Sequence, residues 1–461
     1  MKSYTYIGLM LVLVTFASCR ISKPCQHPEL DTNGLYRDVE GADTSNMARV
    51  HWKKLFTDTL LAGLITEGLS QNIDLKIALQ RINAARANFH QSKSAFLPDL
   101  NGNASIRQSK LAFPQGFGLI NSSTQYDLGL TASWEADIWG KLKSAKRGAL
   151  AGLLQTEEAR RAVQTQLIAD IASRYFTLLA LDQQLLILEQ TVDNRKTDVR
   201  TMKALKTANV VNGAAEVQSE ASQYAAEVAI PRLMKQIRET ENALNVLLAK
   251  PSAAIGRLSL NDQKLLVDLK PGVPAQLLQN RPDVKQAEYA FMAASEATNV
   301  ARKLFYPSLN LTAAGGFTSF SLKDWLTPDG LFGNIAAGIV QPIFNKGTNR
   351  ARLTTAQATQ QEAALNFQQS LLKAGEEVSN ALFAYQTAKT QQEIRIKQLA
   401  ALQKSVDFTK KLLRYSSATN YTDVLTSEQN LLVAQLEDID DKLQQWQAVI
   451  ALYRSLGGAE N

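Results

Sequence analysis

The stretch that decides the fold runs from Leu153 to Asn212 and reads LLQTEEARRAVQTQLIADIASRYFTLLALDQQLLILEQTVDNRKTDVRTMKALKTANVVN. It contains neither glycine nor proline, and residues that favour helices dominate it, so we expect one uninterrupted helix. At 1.5 Å per residue such a helix would be on the order of 90 Å long. This length exceeds the dimensions of a compact domain.

Apolar residues recur along this helix with alternating spacings of three and four, which is the pattern of a coiled-coil seam. Arg174 and Arg195 occupy two positions that the apolar series skips. The seam consists of Leu167, Ile171, Leu178, Leu181, Leu185, Leu188, Val192, Val199 and Met202.

The same seam returns in the second half of the chain, where Gln392 and Arg395 interrupt it. The two long helices are therefore predicted to be copies of one design. The second seam consists of Ala364, Phe367, Leu371, Ala374, Val378, Ala381, Tyr385, Ala388, Leu399, Leu402, Val406 and Leu413.

A shorter helix follows each long one, so that each pair forms a helical hairpin. The shorter helices are predicted from Glu216 to Leu248, with Pro231 kinking the first of them, and from Asp423 to Leu456. One more helix precedes each of the segments described next, at about Asn72 to Phe96 and Asp283 to Phe305.

Two segments, Leu97 to Trp139 and Pro307 to Phe344, are rich in Gly, Asn, Ser and Thr, and their hydrophobic period is two. From Tyr126 to Glu135, for example, apolar and polar residues alternate at every position. Each segment can supply two strands of about ten residues, a length typical of transmembrane barrel strands. Soluble hairpins have the same alternation and stay open as the alternative.

Four strands cannot close a barrel, and lipid does not tolerate an open sheet edge. Copies of the chain must then combine. Three chains would supply twelve strands, which lies within the range of known membrane barrels, and the long helices would continue the tube on one side. The sequence itself does not count the subunits.

The composition indicates an ordered protein without a chemical site. Of the 461 residues 45% are hydrophobic, and the net charge of +7 comes from acidic and basic residues interspersed along the chain, which argues against a nucleic-acid partner. The three histidines lie far apart, and common catalytic and metal-binding motifs are absent from the sequence. We therefore predict no catalytic residue, no cofactor and no resident metal, and an enzyme is the least favoured class.

The N-terminus reads as a signal peptide. An apolar stretch of only about ten residues follows Lys2, too short to span a bilayer as a helix. The small residues Ala17 and Ser18 directly precede Cys19, which resembles a bacterial lipobox and predicts that Cys19 carries lipid; ordinary cleavage beside an incidental cysteine is the alternative. Cys25 would then have no disulfide partner in the chain.

Several motifs resemble those of TolC-like outer-membrane efflux proteins, in particular the lipoprotein branch that serves resistance-nodulation-division pumps. Residues 280–288 (NRPDVKQAE) and 301–309 (ARKLFYPSL) are similar to the family signature. Residues 134–141 (WEADIWGK) and 341–347 (QPIFNKG) resemble its two strand-to-helix junctions. Together with the helices and the lipobox, the resemblance spans nearly the whole chain.

This resemblance implies a mainly α fold with membrane β-structure. Each repeated strand and long-helix protomer would contribute four strands to a trimeric 12-stranded outer-membrane barrel, continued by an α-helical coiled-coil tunnel in the periplasm. The implied function is the exit duct of a tripartite efflux system, whose partners are a periplasmic adaptor protein, an inner-membrane resistance-nodulation-division transporter and outer-membrane lipid. A non-transporting coiled-coil envelope scaffold is the alternative, although it would not need the alternating strands.

The implied organisation has six parts. They are a signal peptide (1–18), an N-terminal lipid-anchored and equatorial segment (19–70), the first repeat (71–249), an equatorial connection (250–280), the second repeat (281–457) and a C-terminal tail (458–461).

In the family the tunnel closes at the hairpin turns. By resemblance, Asp423 matches an aspartate that rings the pore, and Glu216 occupies the equivalent place in the first repeat. A solvated helix N-cap explains Asp423 equally. Thr426 stands where a second ring aspartate is expected and Thr419 where a locking arginine is expected, so the lock is expected to be built differently here.

The small, polar turn residues Asn212, Gly213 and Asn420 are predicted to dock the adaptor, although their composition is also that of ordinary loops. Trp134 and Trp139 lie where a strand should leave the membrane. They are predicted to sit in an interfacial aromatic girdle, with core packing as the alternative.

Overall fold

The computed structural model describes residues 51–110, 122–264, 281–415 and 420–458. The signal peptide, Cys19, Cys25, part of the equatorial connection and Thr419 lie outside these residues. The described helices are α1 (Trp52–Leu55), α2 (Thr59–Gln71), α3 (Ile73–Ser94), α4 (Lys141–Thr207), α5 (Gly213–Leu247), α6 (Pro282–Lys303), α7 (Thr348–Tyr415) and α8 (Tyr421–Ser455). The strands are β1 (Asp99–Lys110), β2 (Ser122–Ala136), β3 (Ser308–Ser319) and β4 (Leu331–Val340), and two short 3-10 turns lie at Leu260–Asp262 and Pro328–Gly330.

The described residues group into two compact units. One comprises Arg81–Thr156 and Gln286–Phe367 and holds the sheet. The other comprises residues up to Gln80, which hold α1, α2 and the start of α3, together with Glu157–Lys285 and Gln368–Asn461, apart from the residues that are not described. The long helices α4 and α7 contribute residues to both units.

The predicted four strands form one antiparallel sheet in the order β1-β2-β3-β4. The register places Leu128 of β2 between Ala104 of β1 and Phe317 of β3, so apolar residues of neighbouring strands share a face. On this face the side chains of Leu130 and Ile335 are 56% and 84% exposed. The opposite face carries Asn101, Asn103, Ser105, Arg107, Gln125, Asp127, Thr131, Ser133, Asn310, Thr312, Thr318 and Asn334.

Glycine is required where β2 and β3 approach most closely. Gly316 lies directly opposite Gly129, and a Cβ at Gly316 would overlap the carbonyl oxygen of Leu128 and the Cα atom of Gly129. Gly333 on β4 has open space within 4 Å of the equivalent position. The two glycines of the β2–β3 contact are therefore part of the strand pairing.

The long helices are as uninterrupted as the sequence predicts, and α4 is longer than expected. It has 67 residues because it begins at Lys141 and includes Gly148 and Gly152. The second long helix, α7, has 68 residues. Both seams are buried or half-buried along these helices. None of the helices in the described ranges combines the length and apolarity needed to cross a membrane.

The shorter helices also match the prediction. The helix α5 continues through Pro231, where a kink stays a prediction, and α8 ends at Ser455, one residue before the predicted end. Residues 51–71 contain α1 and α2, which the sequence pattern did not reveal. The N-terminus of α2 is capped by Asp58, whose carboxylate also accepts a 2.6 Å hydrogen bond from the Tyr175 hydroxyl of α4.

The arginine of the NRPD motif does more than precede a helix. Asp283 lies in the first turn of α6, as expected, and its carboxylate is 2.7 Å from the guanidinium of Arg281. That guanidinium is buried, lies 2.8 Å from the Glu377 carboxylate of α7, and donates to the Ser455 carbonyl at the end of α8. Next to it, Gly457 adopts φ +88°, which favours glycine. The motif thus ties together three helices of the second repeat.

The glycine contact in the sheet gives a matched pair of variants. Gly316→Ala should cost on the order of 3 kcal/mol or more, because the added methyl group meets the backbone of β2, which cannot move aside without breaking the pairing. Gly333→Ala adds the same methyl group in open space. We expect a large loss of protease-resistant folded protein only in Gly316→Ala. Equal yields of the two variants would contradict the observed β2–β3 register.

Candidate functional site

The first hairpin turns at residues 208–212, between α4 and α5. Asn209 adopts φ +55°, a left-handed conformation that ends the long helix. The side chain of Asn212 then accepts a 3.2 Å hydrogen bond from the backbone N–H of Ala215, so Asn212 is the N-cap of α5 and Gly213 is its first residue. Two of the three predicted docking residues thus shape the start of a helix.

Glu216 lies in the first turn of α5 and faces α4. Its carboxylate is 2.5 Å from the Lys206 ammonium, and one turn further a second rung joins Lys203 to Glu220 at 2.8 Å. The hydrogen bond from Lys206 lowers the pKa of Glu216 below its usual value. Glu216 is therefore an ionised partner in a rung between the two helices of its own hairpin.

The second hairpin begins its return helix with a capping box. The side chain of Asn420 accepts from the backbone N–H of Asp423 at 3.1 Å, and the Asp423 carboxylate accepts from the backbone N–H of Asn420 at 3.2 Å. Asn420 is therefore the N-cap of α8, and Asp423, which is exposed, is the third residue of the helix. Of the turn itself, residues 416–419 lie outside the described part of the chain.

The two hairpins meet just behind their turns. The hydroxyl of Tyr421, the first residue of α8, donates a 2.8 Å hydrogen bond to Ser219 of α5, and both side chains are buried. Around this bond, Tyr421 packs with Met202 of α4 and Leu425 of α8. The start of α8 is thus held between the two helices of the first hairpin.

Further along the same contact lies a cluster of four charged side chains, of which Arg195 is buried and Lys410 is half exposed. Arg195 of α4, only 3% exposed, pairs with Glu428 of α8, and Lys410 of α7 reaches the same carboxylate at 2.6 Å. Asp198, one turn after Arg195, places its Oδ2 atom 3.7 Å from the Arg195 guanidinium. We call these four residues the inter-hairpin charge cluster.

Comparison with known proteins identifies the fold and the class of protein. A family model described as outer membrane efflux protein matches residues 64–250 and 273–458, which is most of the chain. The chain belongs to the outer membrane efflux protein family. It is accordingly an outer-membrane protein and serves as an exit duct for efflux, and the members of its family are channels.

Curated relatives cover most of the chain. The cation efflux system protein CusC of Escherichia coli is 29% identical over 460 residues, covering 97% of this chain and 98% of CusC. The toluene efflux pump outer membrane protein TtgI of Pseudomonas putida is 32% identical over 425 residues, covering 88% and 87%. SilC of Salmonella typhimurium, a probable outer membrane lipoprotein, is 29% identical over 409 residues, covering 88% and 87%.

A solved structure of CusC superimposes on this efflux protein with a TM-score of 0.87. The sequence identity is 28%, and the match covers 95% of this chain and 99% of the CusC chain. The four-stranded sheet and paired long helices of this efflux protein are therefore a TolC-like fold.

Both tryptophans that were predicted to lie at the membrane interface donate hydrogen bonds to backbone carbonyls near the ends of strands. The indole N–H of Trp134 on β2 donates to the Phe96 carbonyl at 2.9 Å. That of Trp139, after β2, donates to the Pro307 carbonyl at 2.6 Å, and its ring packs on Tyr306 with centroids 5.3 Å apart. Their place in a membrane girdle stays a prediction.

Most of the inter-hairpin charge cluster was not predicted from the sequence. The one signal was Arg195, since an arginine in an apolar seam needs a buried partner. Its partner on the other hairpin, Glu428, lies more than two hundred residues away along the chain, and the acids of α8 are numerous enough that spacing alone does not select it. The cluster depends on how the two hairpins pack in space, which the sequence does not show.

The Tyr421–Ser219 bond can be tested by a double-mutant cycle. Tyr421→Phe leaves the buried Ser219 hydroxyl without its donor and should lower the free energy of unfolding by about 1–3 kcal/mol. In the Ser219→Ala background the same change should cost less, which gives a coupling energy of about 0.5 kcal/mol or more in thermal unfolding. Tyr415→Phe, which removes the same hydroxyl from a side chain that is 78% exposed, is the control and should have no effect.

Proposed function

We propose that three copies of this chain close a twelve-stranded barrel in the outer membrane and form the exit duct of a tripartite efflux system. The observation that carries the proposal is the four-stranded sheet with one apolar, exposed face and two open edges. The polar face lines the water-filled interior, and the apolar face contacts lipid. Solutes pass through without chemical change, and the energy comes from the transporter upstream.

The open edges explain why one chain is not enough. Among the described residues, β1 and β4 each pair with one strand only, so each leaves one edge of its backbone unpaired. Unpaired backbone groups in hydrocarbon cost several kcal/mol each, and a single chain would expose two rows of them. Pairing β4 of one copy with β1 of the next satisfies both rows, and three copies close the ring.

The partners follow from the place of the duct in the cell envelope. A resistance-nodulation-division transporter in the inner membrane selects the solute, and a periplasmic adaptor joins it to the hairpin turns near Asn212, Gly213 and Asn420. The named relatives serve a cation efflux system and a toluene efflux pump, so this fold accepts solutes of unlike chemistry. Cys19 is proposed to carry the lipid that anchors the mature N-terminus in the membrane.

The alternative of a non-transporting coiled-coil scaffold does not account for the sheet. A scaffold would need the two seams, which the helices supply. It would have no use for four strands whose apolar residues share an exposed face, since such a face is a liability in water.

The duct is tested with the purified protein in planar lipid bilayers. A duct should give discrete conductance steps, and crosslinking should trap trimers; a scaffold should give neither.

In the same bilayers Asp423→Ala should reduce cation selectivity and relieve block by divalent cations, because it removes three carboxylates from the pore axis. The control is Asp193→Ala, whose side chain on α4 is 82% exposed. Unchanged selectivity and block in Asp423→Ala would exclude it from the gate.

Docking at the turns is tested by crosslinking in cells. In a Cys25→Ser background, Asn212→Cys and Asn420→Cys should each form adducts with the adaptor through a short thiol-reactive linker. Gln190→Cys, exposed on the same hairpin but far from its turn, is the control and should form none. Adducts at Gln190 alone would place the adaptor on the side of the helices and not at the turns.

A further inference from the structure

The inter-hairpin charge cluster contains two carboxylates that crowd each other. Asp198 and Glu428 come from different hairpins and share the Arg195 guanidinium. The negative charge of Glu428 is balanced by two cations, because Lys410 also contacts its carboxylate. The Oδ2 atom of Asp198 is shielded from solvent, lies beyond hydrogen-bond distance from Arg195, and finds no hydrogen-bond partner among the described residues.

A carboxylate in this position is costly when ionised. Burial raises the pKa of Asp198 to about 6, and the negative charge of Glu428 adds to this effect, while Lys410 and Arg195 oppose it. The other titratable group facing the cluster is the Tyr421 hydroxyl of α8, which reaches Ser219 of α5. Of the helices around the cluster, α4, α7 and α8 supply the charges.

We propose that Asp198 and Glu428 form a proton-operated latch between the two hairpins. A proton on Asp198 converts the repulsion between the two carboxylates into an attraction and tightens the contact of α4 with α7 and α8. The inference rests on the proposed duct, whose periplasmic end these hairpins form. The step is a reversible protonation: an O–H bond forms on the Asp198 carboxylate with a proton from solvent, and it breaks when that proton returns to solvent.

The direction of the pH effect follows from linkage. Asp198 has a raised pKa of about 6 in the latched arrangement, and it would return towards its ordinary 3.8 once the hairpins part and water reaches it. The latched arrangement therefore has its full stability below pH 3.8 and loses it as the pH rises through 6. Acid surroundings hold the resting duct shut, and near-neutral surroundings loosen it.

The latch differs from the exposed rungs of the first hairpin. Lys206–Glu216 and Lys203–Glu220 join the two helices of one hairpin through half-exposed lysines, whereas Arg195, which is only 3% exposed, reaches Glu428 of the other hairpin. The two lysine pairs add little stability and do not resist separation of the hairpins. Within the described residues, the inter-hairpin charge cluster is where a buried, unsatisfied carboxylate oxygen lies across the contact that must part.

The test measures the separation of the hairpins directly. Nitroxide labels at Thr201→Cys on α4 and Asn430→Cys on α8, both exposed, report the distance between hairpins in a Cys25→Ser background. Labelled copies are diluted with an excess of unlabelled copies so that each trimer carries one pair. The ratio of latched to parted copies should rise about tenfold between pH 7 and pH 5.

Two matched variants decide whether Asp198 is responsible. Asp198→Asn keeps the shape and cannot ionise, so its distance distribution should stay latched and should not respond to pH. Asp193→Asn makes the same chemical change at an exposed site on the same helix and should respond as the unmodified protein does. A pH response that persists in Asp198→Asn, or no response in the unmodified protein, would overturn the latch.

Conductance separates this inference from the proposed function. Bilayer recordings at the same pH values should show fewer openings at pH 5 than at pH 7, and Asp198→Asn should show few at either pH. A protein that never conducts would refute the duct while the label distances still decide the latch. A conducting protein whose openings and distances ignore pH would refute the latch alone.

Discussion

Backbone hydrogen bonding in lipid is the constraint on which the rest of the structure depends. The four strands satisfy one another internally and leave β1 and β4 with open edges among the described residues. Water can satisfy such edges, but hydrocarbon cannot. In the proposed duct the exposed apolar face lies in hydrocarbon, so other copies of the chain would have to close the edges. In that proposal, duplication within the chain and association between chains both serve to close the barrel.

The charged interruptions of the two seams have taken different roles in the two repeats. Arg395 in the second repeat pairs with Glu437 and Asp441, both on the helix that returns from its own hairpin. Arg195 in the first repeat reaches across to Glu428 of the other hairpin. Arg395 therefore braces its own hairpin, whereas Arg195 holds the first hairpin to the second. The two repeats therefore differ, because the arginines in their seams pair with carboxylates in different hairpins.

The proposed latch uses this inequality. A buried ion pair is weak as a source of stability, because desolvation offsets the attraction between its charges. It is well suited to a contact that must break, since water resolvates the charges when the helices part. Placing a fourth group, Asp198, where its ionised form is poorly satisfied makes that contact sensitive to pH. The Tyr421–Ser219 bond lies beside it and has no such dependence on a carboxylate.

The sequence by itself determined the periodic parts of this protein: two long helices with their seams, two return helices and four alternating strands. It also indicated the signature motif and a helix from about Asp283, one residue after the observed start at Pro282, where proline and a first-turn acid favour a helix N-terminus. Periodicity depends only on the spacing of residues along the chain, so these features can be predicted from the sequence. The helices α1 and α2 were missed because they are short and their apolar residues form no long series.

Only the tertiary structure decided which side chains meet. It showed that Asn420, not Asp423, caps α8, that Glu216 pairs with Lys206, and that Arg281 joins three helices. It also assembled the inter-hairpin charge cluster from α4, α7 and α8. The physical reason is that an ion pair depends on distance and burial in space, whereas the sequence shows only that charged residues are present and how they are spaced.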